Sequence, residues 1–287
     1  MRRIIIILIT LASTATGLIF FHLNASSGDK DSAGQLEARN VELPIELRGH
    51  KFVLHTYLPS KQTFGSGPLV LYLSGASGWH GFDDHIATTM ALHGAAVYGL
   101  SLHSYLTTFY NGDHPVTVEN LGEDYSLLIK EVRRVAGVGE ATGIVLGGWS
   151  LGAGYALIVA ANPQIKPQVK GVVCIAISRE NESFYSLLDA LKSKLSLHTR
   201  GPFLDAAEAL KRIAPLPVAI LQAESDKSAS PKEAQMLLQA ADLRVSDPIR
   251  LLIVKSARNH RFEGARNDFD ATLGQALDWI SATGGPR

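Results

Sequence analysis

The most reactive pattern in the chain is a serine flanked by glycines, Gly148-Trp149-Ser150-Leu151-Gly152. It follows an apolar run and opens a stretch rich in Ala and Leu, which predicts a sharp strand-to-helix turn, a nucleophile elbow. Such a turn strains the serine backbone and needs glycine on either side, because neighbouring chain approaches closely there. The serine hydroxyl would project at the start of a helix, whose dipole favours developing negative charge. The pattern predicts a nucleophile for acyl transfer, and the alternative is a glycine-rich turn without chemistry.

A serine hydroxyl is a weak nucleophile unless a base takes its proton. Enzymes with this elbow place an acid and then a histidine after the serine, and only His198 and His260 follow Ser150. His260 comes after the last apolar run, so we predict that it is the base. The acid should follow the preceding run, where Asp226 is predicted to orient the imidazole and Glu224 is the alternative.

An acyl-transfer site also needs backbone N–H groups that stabilise the oxyanion. One is predicted at Leu151, directly after the nucleophile. The other should lie in the glycine-containing loop after an earlier apolar run, Leu73-Ser-Gly-Ala-Ser-Gly-Trp79, with Gly75 and Ala76 as the candidates. The alternative for this loop is an ordinary glycine-rich turn.

Titratable residues cluster just beyond that loop, at His80, Asp83, Asp84 and His85. Their spacing matches no familiar metal site, so we predict neither a metal nor another cofactor. One of the two aspartates is predicted to cap the helix that follows. The alternative is a role at the mouth of the pocket. Four residues are candidate substrate contacts on that reading: Trp79, Trp149, Asp83 and Asp84.

Short apolar runs alternate with helical patterns through residues 44–287, which predicts one α/β domain. Its sheet should be mostly parallel with helices on both faces, since several runs are apolar on consecutive residues. The predicted strands are Phe52–Leu58, Leu69–Leu73, Ala95–Leu100, Ile144–Leu146, Val172–Ile177, Val218–Leu221 and Leu251–Val254. Residues 179–217 interrupt the alternation and predict a small lid, or alternatively two crossover helices.

The N-terminus has the features of an export segment. Arg2 and Arg3 precede an apolar run over residues 4–21, which predicts a signal peptide cleaved after Ala25 or an uncleaved membrane anchor. Either one places the domain outside the cytoplasm, in the periplasm or an equivalent compartment, and residues 26–43 are predicted to be a linker.

The composition narrows the remaining classes of function. The chain has 27 basic and 27 acidic residues without a basic stripe, so nucleic-acid binding is not predicted. Its one cysteine, Cys174, excludes an intrachain disulfide.

Residues 45–285 resemble the α/β-hydrolase superfamily, and within it the VirJ-type bacterial virulence proteins. The likeness lies in four stretches: Ser74, Gly75, Gly78 and Trp79; Gly148, Trp149, Ser150 and Gly152; His260 with Phe262; and Tyr98–Tyr105. The chain departs from the family pattern at Ala76 and Ser77, where an acidic residue and a glycine are usual, and at Trp149, which replaces Tyr. The resemblance implies an α/β-hydrolase fold. Some members are similar to hydrolases of aminoacylated phospholipids.

These observations lead to one hypothesis and two rivals. We expect an exported serine hydrolase that cleaves a small-molecule or lipid ester through an acyl-enzyme and associates with a membrane surface. The implied substrate is an aminoacyl-phospholipid. The rivals are a non-catalytic accessory protein for envelope assembly or secretion, and a thioesterase or peptidase. The sequence predicts no oligomeric state.

Overall fold

The computed structural model describes residues 39–59, 67–110, 116–177, 206–243 and 247–283. The predicted signal peptide or anchor over residues 1–25 lies outside this part of the chain. So do most of the predicted linker and most of the predicted lid. No helix among the described residues is long and apolar enough to span a bilayer.

The described domain contains an eight-stranded sheet in the order β1-β2-β4-β3-β5-β6-β7-β8. The strands are β1 (Arg39–Leu47), β2 (His50–Leu58), β3 (Leu69–Leu73), β4 (Ala96–Leu100), β5 (Ile144–Trp149), β6 (Val169–Ile175), β7 (Val218–Ala223) and β8 (Ile249–Val254). The pairs β1–β2 and β2–β4 are antiparallel, and the other neighbours are parallel. The predicted α/β class and all seven predicted strands are confirmed.

The predicted linker is wrong at its C-terminal end. Residues 39–43 belong to β1, which pairs with β2 along its whole length. Leu43, Ile45 and Leu47 alternate with exposed residues, as expected for a strand with one face on the core. The polar composition and Pro44 obscured this pattern, but proline is tolerated on an edge strand because its missing N–H can face solvent.

Helices cover both faces of the sheet. They are α1 (Gly81–Leu92), α2 (Leu102–Tyr110), α3 (Val118–Ala136), α4 (Leu151–Ala161), α5 (Ala206–Ile213), α6 (Pro231–Ala240) and α7 (Arg266–Thr283). Buried residues of α1 and α7 form one core cluster, and those of α2 to α6 form the other. Strand β3 contributes alternate residues to the two clusters, Tyr72 to the first and Leu71 to the second. Both faces of the sheet are therefore covered.

Helix α5 lies inside the segment predicted as a lid. Its residues Ala206, Ala209, Leu210 and Ile213 are buried in the same cluster as α4. This spacing gives one apolar face, so the described part of the segment is a crossover helix leading into β7. The rest of the lid prediction concerns residues 179–205, which are outside the described residues.

Parallel strands bring their carboxyl ends to one edge of the sheet. The loops after β3, β5, β7 and β8 therefore meet at this edge. They carry the residues that the sequence predicted for the oxyanion, the nucleophile, the acid and the base.

Candidate active site

Ser150 occupies the turn between β5 and α4 in a strained conformation. Its φ is 57° and its ψ is −120°, a backbone region that a residue with a side chain rarely adopts. The Ser150 N–H donates to the Ile175 carbonyl at the end of β6, at 2.8 Å. The turn is thus held from the neighbouring strand, and α4 begins immediately afterwards at Leu151.

Two glycines make this turn possible. A Cβ at Gly148 would lie 2.2 Å from backbone atoms of Gly152, and a Cβ at Gly152 would lie 2.2 Å from the Leu73 carbonyl oxygen. Neither position has space for a side chain without moving backbone. The second contact also packs the start of α4 against the end of β3, where the predicted oxyanion loop begins.

Asp226 and His260, the residues predicted as acid and base, lie within hydrogen-bonding distance of each other. Asp226 Oδ2 lies 2.7 Å from His260 Nδ1. Asp226 Oδ1 accepts a second hydrogen bond, from the Ser228 N–H at 2.8 Å. The Asp226 side chain is 1% exposed and that of His260 is 24% exposed. An ionised Asp226 accepts from Nδ1–H, which leaves His260 Nε2 free to act as a base.

Glu224, the alternative acid, is engaged elsewhere. Its side chain accepts hydrogen bonds from the Ser256 N–H at 3.0 Å and from Lys255 Nζ at 3.1 Å. These two contacts lower the pKa of Glu224 below its usual value. The structure therefore pairs His260 with Asp226 and joins Glu224 to the residues that follow β8.

Trp149 links the nucleophile turn to the base. Its indole Nε1–H donates to the His260 carbonyl at 3.0 Å, and the two rings are 5.2 Å apart. Within the described part of the chain, the Ser150 side chain makes no hydrogen bond to His260 or to the amides of α4. Catalytic hydrogen bonds are often long before substrate binds, so this arrangement is compatible with a triad.

The predicted oxyanion loop lies between β3 and α1. Leu151 is the first residue of α4, where amides have no partner within the helix. The Gly75 amide is near enough to the Asp83 carboxyl to lower the pKa of that group, against the larger effect of burial. Gly75 and Ala76 both remain candidate oxyanion donors, and His103 Nδ1 lies 2.9 Å from the Ala76 carbonyl oxygen.

The predicted substrate contacts need correction at two positions. Asp83 is 0% exposed and Trp149 is 4% exposed, so neither side chain can contact a substrate in this conformation. Asp83 instead completes the capping box of α1, in agreement with the prediction that one of the two aspartates caps this helix. Its burial raises its pKa to about 6, against the opposing effects of His80 and of the Tyr72 hydrogen bond.

The other two predicted contacts are half-buried. Trp79 stacks on His55 with ring centroids 4.2 Å apart and packs against Gly99. Its Nε1–H donates to Asp84 Oδ1 at 2.7 Å, and the Tyr57 hydroxyl donates to the same oxygen. Trp79 and Asp84 therefore both make structural contacts, and both are partly exposed.

The remaining titratable residues also have defined environments. His85 Nε2 lies 2.8 Å from Asp270 Oδ1 on α7. Burial raises the pKa of the Cys174 thiol inside β6. No group of three or more His, Cys, Asp or Glu residues that could hold a metal ion occurs among the described residues.

Sequence reasoning missed two residues of this region, Tyr72 and His103. The Tyr72 hydroxyl donates to Asp83 Oδ1 at 3.0 Å, although Tyr72 belongs to an apolar strand whose residues are all expected to be in the core. A polar hydroxyl in such a strand needs a buried acceptor, and that was the available signal. The contact of His103 with Ala76 has no comparable signal, since the two residues are distant in sequence.

Comparison with solved structures establishes the fold. The esterase domain of a Rhodothermus marinus protein is similar with 17% identity and a TM-score of 0.58, over 86% of this chain and 100% of that one. A dienelactone hydrolase from Anabaena variabilis is similar with 18% identity and a TM-score of 0.57, over 86% and 98%. Est1E from Butyrivibrio proteoclasticus is similar with 13% identity and a TM-score of 0.56, over 84% and 99%. The fold is therefore that of the α/β hydrolases.

Sequence comparison gives the family. No curated protein sequence matches the chain. The family described as bacterial virulence protein (VirJ) matches residues 68–243, which include the oxyanion loop, the Ser150 turn and Asp226. That match covers more than half of the chain. The protein therefore belongs to the VirJ family of bacterial virulence proteins.

Proposed function

We propose that this protein is a serine hydrolase that cleaves carboxylic esters through an acyl-enzyme. The observation that carries the proposal is the buried Asp226–His260 hydrogen bond beside the strained Ser150 turn. A carboxylate buried against a histidine at the carboxyl edge of a parallel sheet is the arrangement that a serine nucleophile requires. The similarity to solved esterases adds support at the level of the fold.

In the proposed reaction, Ser150 Oγ attacks the ester carbonyl while His260 Nε2 takes its proton. Asp226 holds the Nδ1–H tautomer and stabilises the imidazolium that forms. The Leu151 and Ala76 amides donate to the oxyanion of the tetrahedral intermediate. His260 then protonates the leaving alcohol, and water releases the acyl group by the reverse sequence.

Labelling with a fluorophosphonate probe tests the proposal. The probe reacts with activated serines, so we expect one covalent adduct on Ser150, located by peptide mass spectrometry. Ser150→Ala should remove both the adduct and ester hydrolysis. Ser281→Ala is the matched control, because Ser281 is an exposed serine on α7, outside the loops that carry the site, and it should keep the adduct. A folded wild-type protein that is not labelled at neutral pH would support the accessory-protein rival instead.

We further propose that the substrate is an aminoacyl ester of a phospholipid and that the enzyme works outside the cytoplasm. Support comes from the VirJ family resemblance and from the basic and apolar N-terminal segment. Asp84 is the remaining carboxylate that could attract a cationic acyl group, because Asp83 is fully buried. Hydrolysis of lysyl-phosphatidylglycerol should have a higher kcat/KM than that of a neutral short-chain ester. Equal values would contradict this substrate class while leaving the esterase proposal intact.

A further inference from the structure

A buried carboxylate lies directly beneath the loop that carries the candidate oxyanion donor. Asp83 is 0% exposed, although it belongs to the first turn of a helix whose start is accessible. Its Oδ1 accepts from the Tyr72 hydroxyl at 3.0 Å, and its Oδ2 accepts from the His80 N–H at 3.1 Å. His80 Nδ1 lies 3.2 Å from Oδ2, and the other ring nitrogen of His80, Nε2, lies 2.8 Å from the Ser77 hydroxyl of the loop.

The groups that hydrogen bond to Asp83 lie on either side of the loop. Tyr72 belongs to β3, before the loop, and His80 closes the loop. One carboxylate therefore joins the end of the loop to the strand that precedes it, and His80 extends this contact to Ser77 inside the loop. The Gly78 N–H donates to the Gly75 carbonyl at 3.2 Å, so the chain between Gly75 and Gly78 is a tight turn.

Ala76 lies inside this turn, next to Ser77, which the His80 side chain contacts. The Ala76 N–H shares a planar peptide group with the Gly75 carbonyl, and because the Gly78 N–H donates to that carbonyl, the peptide has little freedom to rotate. His103 constrains the other side of the residue through the Ala76 carbonyl. An oxyanion donor is effective only when its direction is set before the charge develops, which is the role these contacts can fill.

We propose that Asp83 is the positioning residue of the oxyanion hole, because its carboxylate holds the Gly75–Gly78 turn in the orientation that directs the Ala76 amide toward the substrate. Asp83 does not touch the substrate and acts through the turn. A helix cap alone does not explain its environment, since an exposed Asp, Ser or Thr would cap α1 without the desolvation of a buried carboxylate. This inference rests on the proposed esterase function.

Two variants and a control test the proposal. Asp83→Asn keeps the size of the side chain but turns an amide N–H toward one of the donors, so the turn must shift. Tyr72→Phe keeps the carboxylate and removes one of its hydrogen bonds, which provides a milder change if the first variant is unstable. Asp270→Asn is the control, because Asp270 hydrogen bonds to His85 and Thr89 of the same helix α1, away from the loop.

The measurements are kcat and KM for a p-nitrophenyl ester and the inhibition constant of an alkyl boronic acid, which forms a tetrahedral adduct with the serine. All of these quantities are measured well below the melting temperature of every variant. Asp83→Asn should lower kcat by roughly 10²- to 10³-fold, the effect of losing one oxyanion donor, with little change in KM. Boronic acid binding should weaken to a similar degree. Tyr72→Phe should lower kcat by roughly 3- to 10-fold in the same pattern, and Asp270→Asn should leave both quantities within about twofold.

A lower melting temperature with unchanged kcat and boronic acid affinity in both Asp83→Asn and Tyr72→Phe would overturn the proposal and leave Asp83 as a helix cap. A wild-type protein that is folded but neither hydrolyses the ester nor binds the boronic acid would overturn the esterase function, and this role with it. The two failures are therefore distinguished by the wild-type measurement alone.

Discussion

Replacing Asp226 by asparagine should place the proton of His260 on the wrong nitrogen. The Ser228 N–H donates to Asp226 Oδ1, so an asparagine should keep its carbonyl oxygen at that position. Its NH₂ group would then face His260 Nδ1, where the carboxylate oxygen lies at 2.7 Å in the native protein. To accept from that NH₂, Nδ1 must lose its proton and Nε2 must carry it. The imidazole could then no longer take the proton of Ser150.

The size of the effect follows from this change of tautomer. In the best-studied serine triad the same substitution lowers kcat by about 10⁴-fold, which corresponds to about 5 kcal/mol of the activation barrier. We expect a loss of that order here, because Asp226 is buried and water cannot easily replace the carboxylate. The assay is kcat for a p-nitrophenyl ester at pH 7.5, with circular dichroism to verify the fold.

Glu224→Gln is the matched control for this prediction. It neutralises a carboxylate at the end of the same strand, but one that hydrogen bonds to Ser256 and Lys255. Its kcat should stay within roughly tenfold of the native value. A large loss in Glu224→Gln with a small loss in Asp226→Asn would refute the assignment of the acid.

Two further predictions concern the supporting structure. Gly152→Ala should lower the free energy of unfolding by about 1–3 kcal/mol and remove most ester hydrolysis, because its Cβ would lie 2.2 Å from the Leu73 carbonyl. In Gly147→Ala the new Cβ would have its nearest neighbour at 3.5 Å, so the free energy of unfolding measured in urea should change little. Equal losses in the two variants would contradict this packing argument. Asp83 faces Tyr72 and His80, and its pKa is raised from 3.8 to about 6 in the folded protein. The native side chain therefore stabilises the fold below pH 4, and this contribution is lost as the pH rises through about 6. Relative to Asp83→Asn, the unfolding free energy of the native protein should therefore fall by about 3 kcal/mol between pH 4 and pH 7, and a pH-independent difference would show that the carboxyl is not perturbed.

The Ser150 turn and the pairing of Asp226 with His260 were predictable because each depends on local pattern and chain order. Gly148 and Gly152 identify the turn, and the position of His260 after the last strand leaves little choice of base. The sequence favoured Asp226 but left Glu224 as an alternative, since the pairing depends on which of the two carboxylates His260 approaches. Spacing along one strand carries no information about that approach.

The fold was predictable to the same extent and for a similar reason. Parallel strands inside a sheet appear as continuous apolar runs, and all six of them, β3 to β8, were predicted, as was the antiparallel strand β2. Strand β1 was missed because an edge strand with one exposed face contains as many polar as apolar residues. The burial of Asp83 could not be predicted from the sequence either, since it requires the Tyr72 hydroxyl of β3 as a hydrogen-bond donor inside the core.

The hydrogen bond from Trp149 to the His260 carbonyl has an optical consequence. The indole lies between two imidazoles, with ring centroids 5.2 Å from His260 and 5.3 Å from His80. Fluorescence of an indole is quenched by a protonated imidazole at this distance. Emission from Trp149 would therefore report the charge of the two imidazoles together, without any attached dye.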